Sequence, residues 1–373
     1  MAEAWGSGNI GEGEAGRRDE VEVSPVFPSQ ESQNAPNPLS LSSLFLSLLS
    51  VPCCLKIVKL ILFSTENQVT EMTTQLINPP KSKLWMAAIK PPMYTVAVIP
   101  IWMGTAIAWG ETKTLNLSIF LTFLMSAIFI IAWLNMSNDV FDSDTGIDKN
   151  KHHSLVNLTG NRSLIFWLSN LFLLLGITGI GAIAWWQKDP MVIEIILLAC
   201  AFGYSYQGPP FRLGYQGLGE IICFFTFGPM ALSAAYYSQT QTWSFSNLAA
   251  SVIIGIVTSI ILFCSHFHQV ADDIAAGKKS PIVRMGTKTG SDLLPWLCGS
   301  LYALTALFII LGYFPITTLL ILGSLPFSIQ LCRHVSAHHD QPEKVSNCKF
   351  IAVYLHFISG LLLGLGFVLP LAF

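Results

Sequence analysis

Residues 116–148 read NLSIFLTFLMSAIFIIAWLNMSNDVFDSDTGID, an uncharged run from Asn116 to Ser137 that opens directly onto Asp139, Asp142, Asp144 and Asp148. About 20 apolar residues in a row cross the hydrocarbon core of a bilayer as one helix. The stretch therefore predicts a membrane helix carrying carboxylates at its rim. A second cluster, Gln269-Val-Ala-Asp272-Asp273-Ile-Ala-Ala-Gly277-Lys278-Lys279, follows another apolar run. Acids at a membrane boundary are costly without a compensating charge, which makes both clusters candidate functional sites.

The rest of the chain agrees with a membrane setting. It has 373 residues, 52% hydrophobic and only 11% charged, too little charge to cover a soluble protein of this length. Mean hydropathy is +0.56. Eight cysteines are scattered without a CxxC pair, which disfavours a disulfide framework or a zinc site and suits small apolar packing. Residues 1–80 stand apart as a presequence or linker, disordered or serving in targeting. The first 35 are polar and acidic. Residues 39–63 are Ser- and Leu-rich but broken by Pro52, Lys56 and Lys59.

From residue 81 to 373 the pattern predicts an all-α, polytopic domain of nine transmembrane helices in one bundle. The expected spans are about 92–110, 116–137, 163–186, 190–206, 217–237, 246–268, 293–313, 315–333 and 350–371. Charge alternates across them. One side receives fourteen Lys and Arg residues and the other only Lys113 and Lys188, the mark of a fixed orientation with the first side positive. Both acidic clusters follow even-numbered spans and so share that positive side. Asn138-x-x-x-Asp142 recurs as Gln269-x-x-x-Asp273 with four spans between, as two pseudo-repeat halves around a central cavity would arrange it.

Asn138 and Asp142 are four apart, on one face of a helix end. Gly146 lets the chain turn and can bring Asp148 back as a third oxygen ligand. Magnesium takes one or two carboxylates and shares the rest of its shell with phosphate and water. Two such sites would hold a diphosphate between two ions, and beside lipid that points to a prenyl diphosphate. The plain alternative is a solvated acidic loop. A calcium hand fails, because its sixth position would be Ile147 and its twelfth His153. Lys278, Lys279 and Arg212 are candidates to neutralise a departing diphosphate, though inside-positive topology alone also explains them. Tyr204 and Tyr206, before the helix-breaking Gly208-Pro209-Pro210, could steady an allylic cation by their ring faces or simply belong to an interfacial aromatic belt. His266 and His268 could bind a transition metal with Asp272, but suit hydrogen-bonding neighbours better.

These motifs resemble the UbiA superfamily of intramembrane prenyltransferases over about residues 81–373. Within it, Asn138-Asp-Val-Phe-Asp142-x-x-x-Gly146-x-Asp148 and the stretch from Gly277 to Gly286 resemble the branch acting on 1,4-dihydroxy-2-naphthoate. The wording His266-Phe-His-Gln269-Val-Ala-Asp272-Asp273, with Lys90-Pro91-Pro92-Met93-Tyr94, is similar to plant and cyanobacterial members that attach a phytyl chain in phylloquinone synthesis.

The resemblance implies Asp142, Asp148 and Asp273 as catalytic carboxylates. It implies one Mg2+ on Asn138, Asp142 and Asp148, a second on Asp272 or Asp273, and the diphosphate against Gln269, Lys278, Lys279 and Arg212. Many members carry Asp where Gln269 stands, so Asp272 is a candidate substitute. It further implies ionisation of the allylic C–O bond, attack by the naphthoate ring and loss of carbon dioxide. The implied partners are a prenyl diphosphate, an aromatic naphthoate and membrane lipid, with no nucleic acid. The implied location is a plastid membrane, with the motif loops stromal. Two alternatives stand beside this reading: a related prenyltransferase using homogentisate or a longer polyprenyl donor, and an ion-coupled transporter. Transporters hold their charges near the bilayer midplane, whereas these acids crowd one rim.

Overall fold

The computed structural model describes residues 85–86, 90–145 and 154–369, all within one compact unit, Gln68–Phe373. The expectations for residues 1–80, and those for Gly146 and Asp148, lie outside the described residues. Every regular element among the described residues is helical. Eight helices are long and apolar enough to cross a membrane: α1 Pro91–Thr112, α2 Leu117–Thr145, α3 Arg162–Gln187, α5 Gly219–Thr240, α6 Phe245–His268, α7 Thr287–Ile310, α8 Ile316–His338 and α9 Pro342–Val368. A shorter apolar helix, α4 Met191–Gln207, makes nine among the described residues, in agreement with the expected count.

Local chemistry sets the helix ends. Asn161 caps α3 by accepting the Leu164 N–H at 2.9 Å, and Ser244 caps α6 through the Ser246 N–H at 3.1 Å. Helices α1, α3 and α5 each end on a left-handed residue, Lys113, Lys188 and Gln241, with φ of 57°, 54° and 51°. Several boundaries differ from expectation, among them α8, which ends at His338 rather than near 333, and α9, which begins at Pro342 rather than near 350. Helix α2 runs on to Thr145 rather than ending near 137, so Asn138 and Asp142 share a helix face as expected and Asp144 is on helix too. Helix α7 begins at Thr287 rather than near 293 and carries Pro295 inside it. Helix α5 widens to a π turn at Thr226–Met230, where Pro229 removes a backbone donor.

Burial divides the eight long helices into an inner and an outer set. Helices α1, α5, α6 and α9 have 56–67% of their apolar window buried inside the bundle, against 22–33% for α2, α3, α7 and α8, whose outer faces are left for lipid. Two hydrophobic clusters meet on α1 and α5. One joins them to α2, α3 and α4 through Phe123, Ile180, Ile183 and Ile196. The other joins them to α6–α9 through Ile254, Leu301, Leu331 and Leu355. Each acidic cluster therefore belongs to its own half. At the seam, Gly104 lets α1 touch α5: a Cβ there would lie 2.5 Å from the Leu232 carbonyl oxygen.

Candidate active site

The end of α2 and the segment after α6 meet at one end of this seam. Helix α2 presents Asn138, Asp139 and Asp142 on its last two turns. Asp139 is buried and already paired. One oxygen lies 3.0 Å from the Lys90 ammonium, and the other accepts the Leu155 N–H at 3.0 Å. Asp142 is buried too, and accepts the Tyr215 hydroxyl on Oδ1 at 3.2 Å.

Beyond α6 the chain turns through a short helix, Val270–Ala275, that carries the second cluster. Asp273 is fully buried. Its Oδ2 lies 3.1 Å from His266 Nδ1, and its Oδ1 lies 3.4 Å from the Lys278 ammonium without accepting a hydrogen bond. His266 Nε2 faces Glu220 Oε1 at 3.3 Å, so this imidazole is held between two carboxylates. Burial raises the Asp273 pKa, but the bond to His266 and the charge of Lys278 outweigh it, and the carboxyl sits below its ordinary value. Asp272, beside it, is exposed and also borders the cavity between the two clusters.

Tyr215, in the α4–α5 connection, ties the two clusters together. Its hydroxyl lies 2.7 Å from Thr145 Oγ1 and bonds Asp142, its carbonyl accepts the Lys279 N–H at 2.8 Å, and the Lys278 ammonium lies 5.9 Å from its ring centroid. Burial, then the nearby Asp142 charge, push the Tyr215 hydroxyl above its ordinary pKa, so it stays a donor at neutral pH.

Residues of both clusters enclose a polar cavity of about 150 Å³. Of the residues singled out from sequence, Asn138, Asp142, Gln269, Asp272, Asp273, Lys278 and Tyr206 line it together. Tyr204, Arg212 and Lys279 do not. The Tyr204 hydroxyl donates to the Pro209 carbonyl at 2.8 Å, and its ring stands edge-on to Phe141. Lys279 is exposed, and Arg212 takes a left-handed turn, φ 43°, in the α4–α5 connection. Lys90, Asp139 and Gln207 also line the cavity, though sequence reasoning gave them no role in the site. Asp139 was within reach of it, since Asp139 and Asp142 are three apart and share a helix face. Tyr215 was not, because only the folded chain brings residue 215 to residue 142.

The volume admits a diphosphate-sized group and is smaller than the roughly 300 Å³ at which drug-sized sites begin. Among the described residues no three His, Cys, Asp or Glu side chains stand close enough to cage a metal by themselves. The donor set instead combines an amide with separate carboxylates, one of them leaving a buried oxygen, Asp273 Oδ1, without a hydrogen bond. That set fits a hard cation whose shell is completed by phosphate and water.

A model for the UbiA prenyltransferase family matches residues 97–361. The chain is 61% identical over 289 residues to the Synechocystis protein named 2-carboxy-1,4-naphthoquinone phytyltransferase, covering 78% of this chain and 94% of that one. It is 42% identical over 301 residues to the chloroplastic protein of the same name from Arabidopsis thaliana, covering 78% of each. A solved UbiA homolog from Archaeoglobus fulgidus bound to DMAPP and Mg2+ shares the fold with a TM-score of 0.50 and 16% identity, over 75% of this chain and 98% of that one.

Proposed function

The chain belongs to the UbiA prenyltransferase family, and from that premise we propose that it transfers a phytyl chain from phytyl diphosphate to 1,4-dihydroxy-2-naphthoate with loss of carbon dioxide, in phylloquinone synthesis. The names of the Synechocystis and Arabidopsis relatives support this acceptor class and this donor. The observation that carries the reading is the meeting of Asp142 and Asp273, from different halves of the bundle, in the wall of one diphosphate-sized cavity. The transport alternative falls with the family. The acids also sit at the end of the bundle, not midway along it.

In this proposal Asn138 and Asp142 hold one Mg2+, and Asp272 with Asp273, whose Oδ1 accepts no hydrogen bond, holds another. Bound there, magnesium withdraws charge from the diphosphate and eases ionisation of the allylic C–O bond. Lys278, held by Asp273, supplies positive charge to the departing diphosphate, and Gln269 offers its amide N–H to a phosphate oxygen. Tyr215 fixes the orientation of the Asp142 carboxylate, and Tyr206 presents its ring to the developing cation. Asp148 joins the first ion set in the same proposal. The small polar cavity leaves the prenyl tail to run outward between apolar helices, and little bulk water reaches the cation. Attack by the carboxyl-bearing ring carbon forms the new C–C bond, and that carbon then releases carbon dioxide.

The protein is integral to a membrane. Its placement in a plastid membrane, with the motif loops on the stromal, positive side, is part of the proposal. The name of the Arabidopsis relative and the biased Lys and Arg count support it. A substrate panel tests the function. Naphthoate and homogentisate acceptors, each given phytyl, geranylgeranyl and solanesyl diphosphates, should show the naphthoate and phytyl pair turning over fastest. Preference for homogentisate would overturn the acceptor, and preference for solanesyl the donor.

A further inference from the structure

A second cavity, of about 630 Å³, opens at the other end of the bundle, between the α1–α2 connection and the ends of α3 and α5. Span parity puts it across the membrane from Asp142. Its volume lies within the roughly 300–1,000 Å³ typical of small-molecule sites.

Its wall is made of amides and hydroxyls. Gln239 Oε1 accepts the Asn116 N–H at 2.9 Å, and its Nε2 donates back to the Asn116 carbonyl at 3.3 Å. Gln187 Nε2 donates to the Ser238 carbonyl at 2.6 Å, while Gln241 Nε2 donates to the Gln187 carbonyl at 3.4 Å. Three separate elements are thus locked around one opening. Gln187 Oε1 is left buried without a donor, an acceptor that a ligand hydroxyl would satisfy. Trp186 stands at the same wall with 56% of its surface exposed, a flat apolar face beside polar groups.

Among the described residues no charged side chain lines the cavity, Lys113 and Lys188 standing at the neighbouring helix ends but outside its wall. The nearby carboxylates are occupied elsewhere. Glu111 accepts the Tyr236 and Ser244 hydroxyls at 2.5 and 2.6 Å, and Asp189 accepts the Tyr237 hydroxyl at 2.7 Å and the Met191 N–H at 2.9 Å. A phosphate headgroup would find no cation on this wall, and an ammonium no anion. An uncharged group with many hydroxyls, each able to donate and accept, suits amides that also do both. A ring with an apolar C–H face suits the indole.

We propose that this cavity binds a sugar, presented as the uncharged glycosyl headgroup of a membrane lipid. The site stands apart from the prenyl-transfer reading, since it shares no residue with the catalytic wall. The test is native mass spectrometry of the full chain, in a detergent without a sugar headgroup, against a diglycosyl diacylglycerol and a phosphatidylglycerol of matched acyl chains. The expected result is retention of the glycosyl lipid at concentrations where the phospholipid dissociates. Trp186→Ala and Gln187→Met should each weaken it about tenfold, one factor of ten in Kd. Unchanged prenyl transfer on the opposite face reports that both variants remain folded. Competition by a free disaccharide at the lipid's own concentration supports the sugar site with a soluble source. Equal retention of both lipids, or glycosyl-lipid binding untouched in both variants, overturns the proposal.

Discussion

The Tyr215 hydroxyl donates to Asp142 Oδ1 at 3.2 Å, and through that one contact the α4–α5 connection positions a carboxylate on the last turn of α2. A hydrogen bond to a charged group contributes about 1.5–3 kcal/mol. Tyr215→Phe should therefore lower kcat at least about tenfold and raise the magnesium concentration needed for half-maximal rate. Steady-state rates across a magnesium titration check both. Because the hydroxyl's pKa is raised, its stabilising bond is complete below the ordinary Tyr value and is lost only as pH rises through the folded one. The wild-type protein should thus show no loss attributable to Tyr215 between neutral pH and about pH 9, well short of the ordinary Tyr value near 10.

Asp273 works in the opposite direction. Its carboxyl is held below the ordinary value of 3.8, so the stability it confers is present above that value and fades as pH falls through the folded one. Thermal melts in detergent should show the wild-type midpoint falling once pH drops below about 4, near the ordinary Asp value. Asp273→Asn should melt lower at neutral pH and lose that part of the acid dependence. It should also be inactive, since Lys278 and His266 lose the charge that holds them.

These two residues mark what sequence could and could not reveal. The nine spans were legible because each is a long apolar run, and both acidic clusters because charge at a membrane rim is conspicuous. Asp273 was legible as an acid and His266 as a hydrogen-bonding neighbour of its cluster, but not that the two bond each other, which the turn at His266–His268 sets. Tyr215 lies between spans among ordinary loop residues, and nothing local distinguishes it. The start of α7 lies at Thr287 rather than near 293, because the polar first turns Thr287–Asp292 are helical although they are not apolar. Tyr204 was grouped with Tyr206, yet two residues along a helix turn the side chain away, and only Tyr206 faces the cavity.

Lys90 and Asp139 form a pair between the entry of α1 and the end of α2, with the carboxylate buried and the ammonium partly exposed. Removing one partner of such a pair leaves an uncompensated buried charge. Discounted for the solvent at Lys90, Lys90→Met should cost about 1–3 kcal/mol. Adding Asp139→Asn should recover part of that loss, which a double-mutant cycle of thermal midpoints would measure.

Gly104 is a point of close approach in the α1–α5 seam. A methyl group there would lie 2.5 Å from the Leu232 carbonyl oxygen and 2.7 Å from the Tyr236 nitrogen, so backbone must move. Gly104→Ala should destabilise by about 1–3 kcal/mol, as overpacking does. Gly299→Ala, at a position with open space, should change little. Melting both variants in one detergent makes the comparison.

The most direct measurement is product stoichiometry with purified protein, phytyl diphosphate and 1,4-dihydroxy-2-naphthoate. The predicted result is prenylated naphthoquinol, diphosphate and carbon dioxide in equal amounts, all abolished by chelating magnesium or by Asp142→Ala, with the variant still folded by thermal melt. Near-normal turnover in Asp142→Ala, or product formed in excess chelator, would contradict a metal-held diphosphate at the meeting of the two acidic clusters.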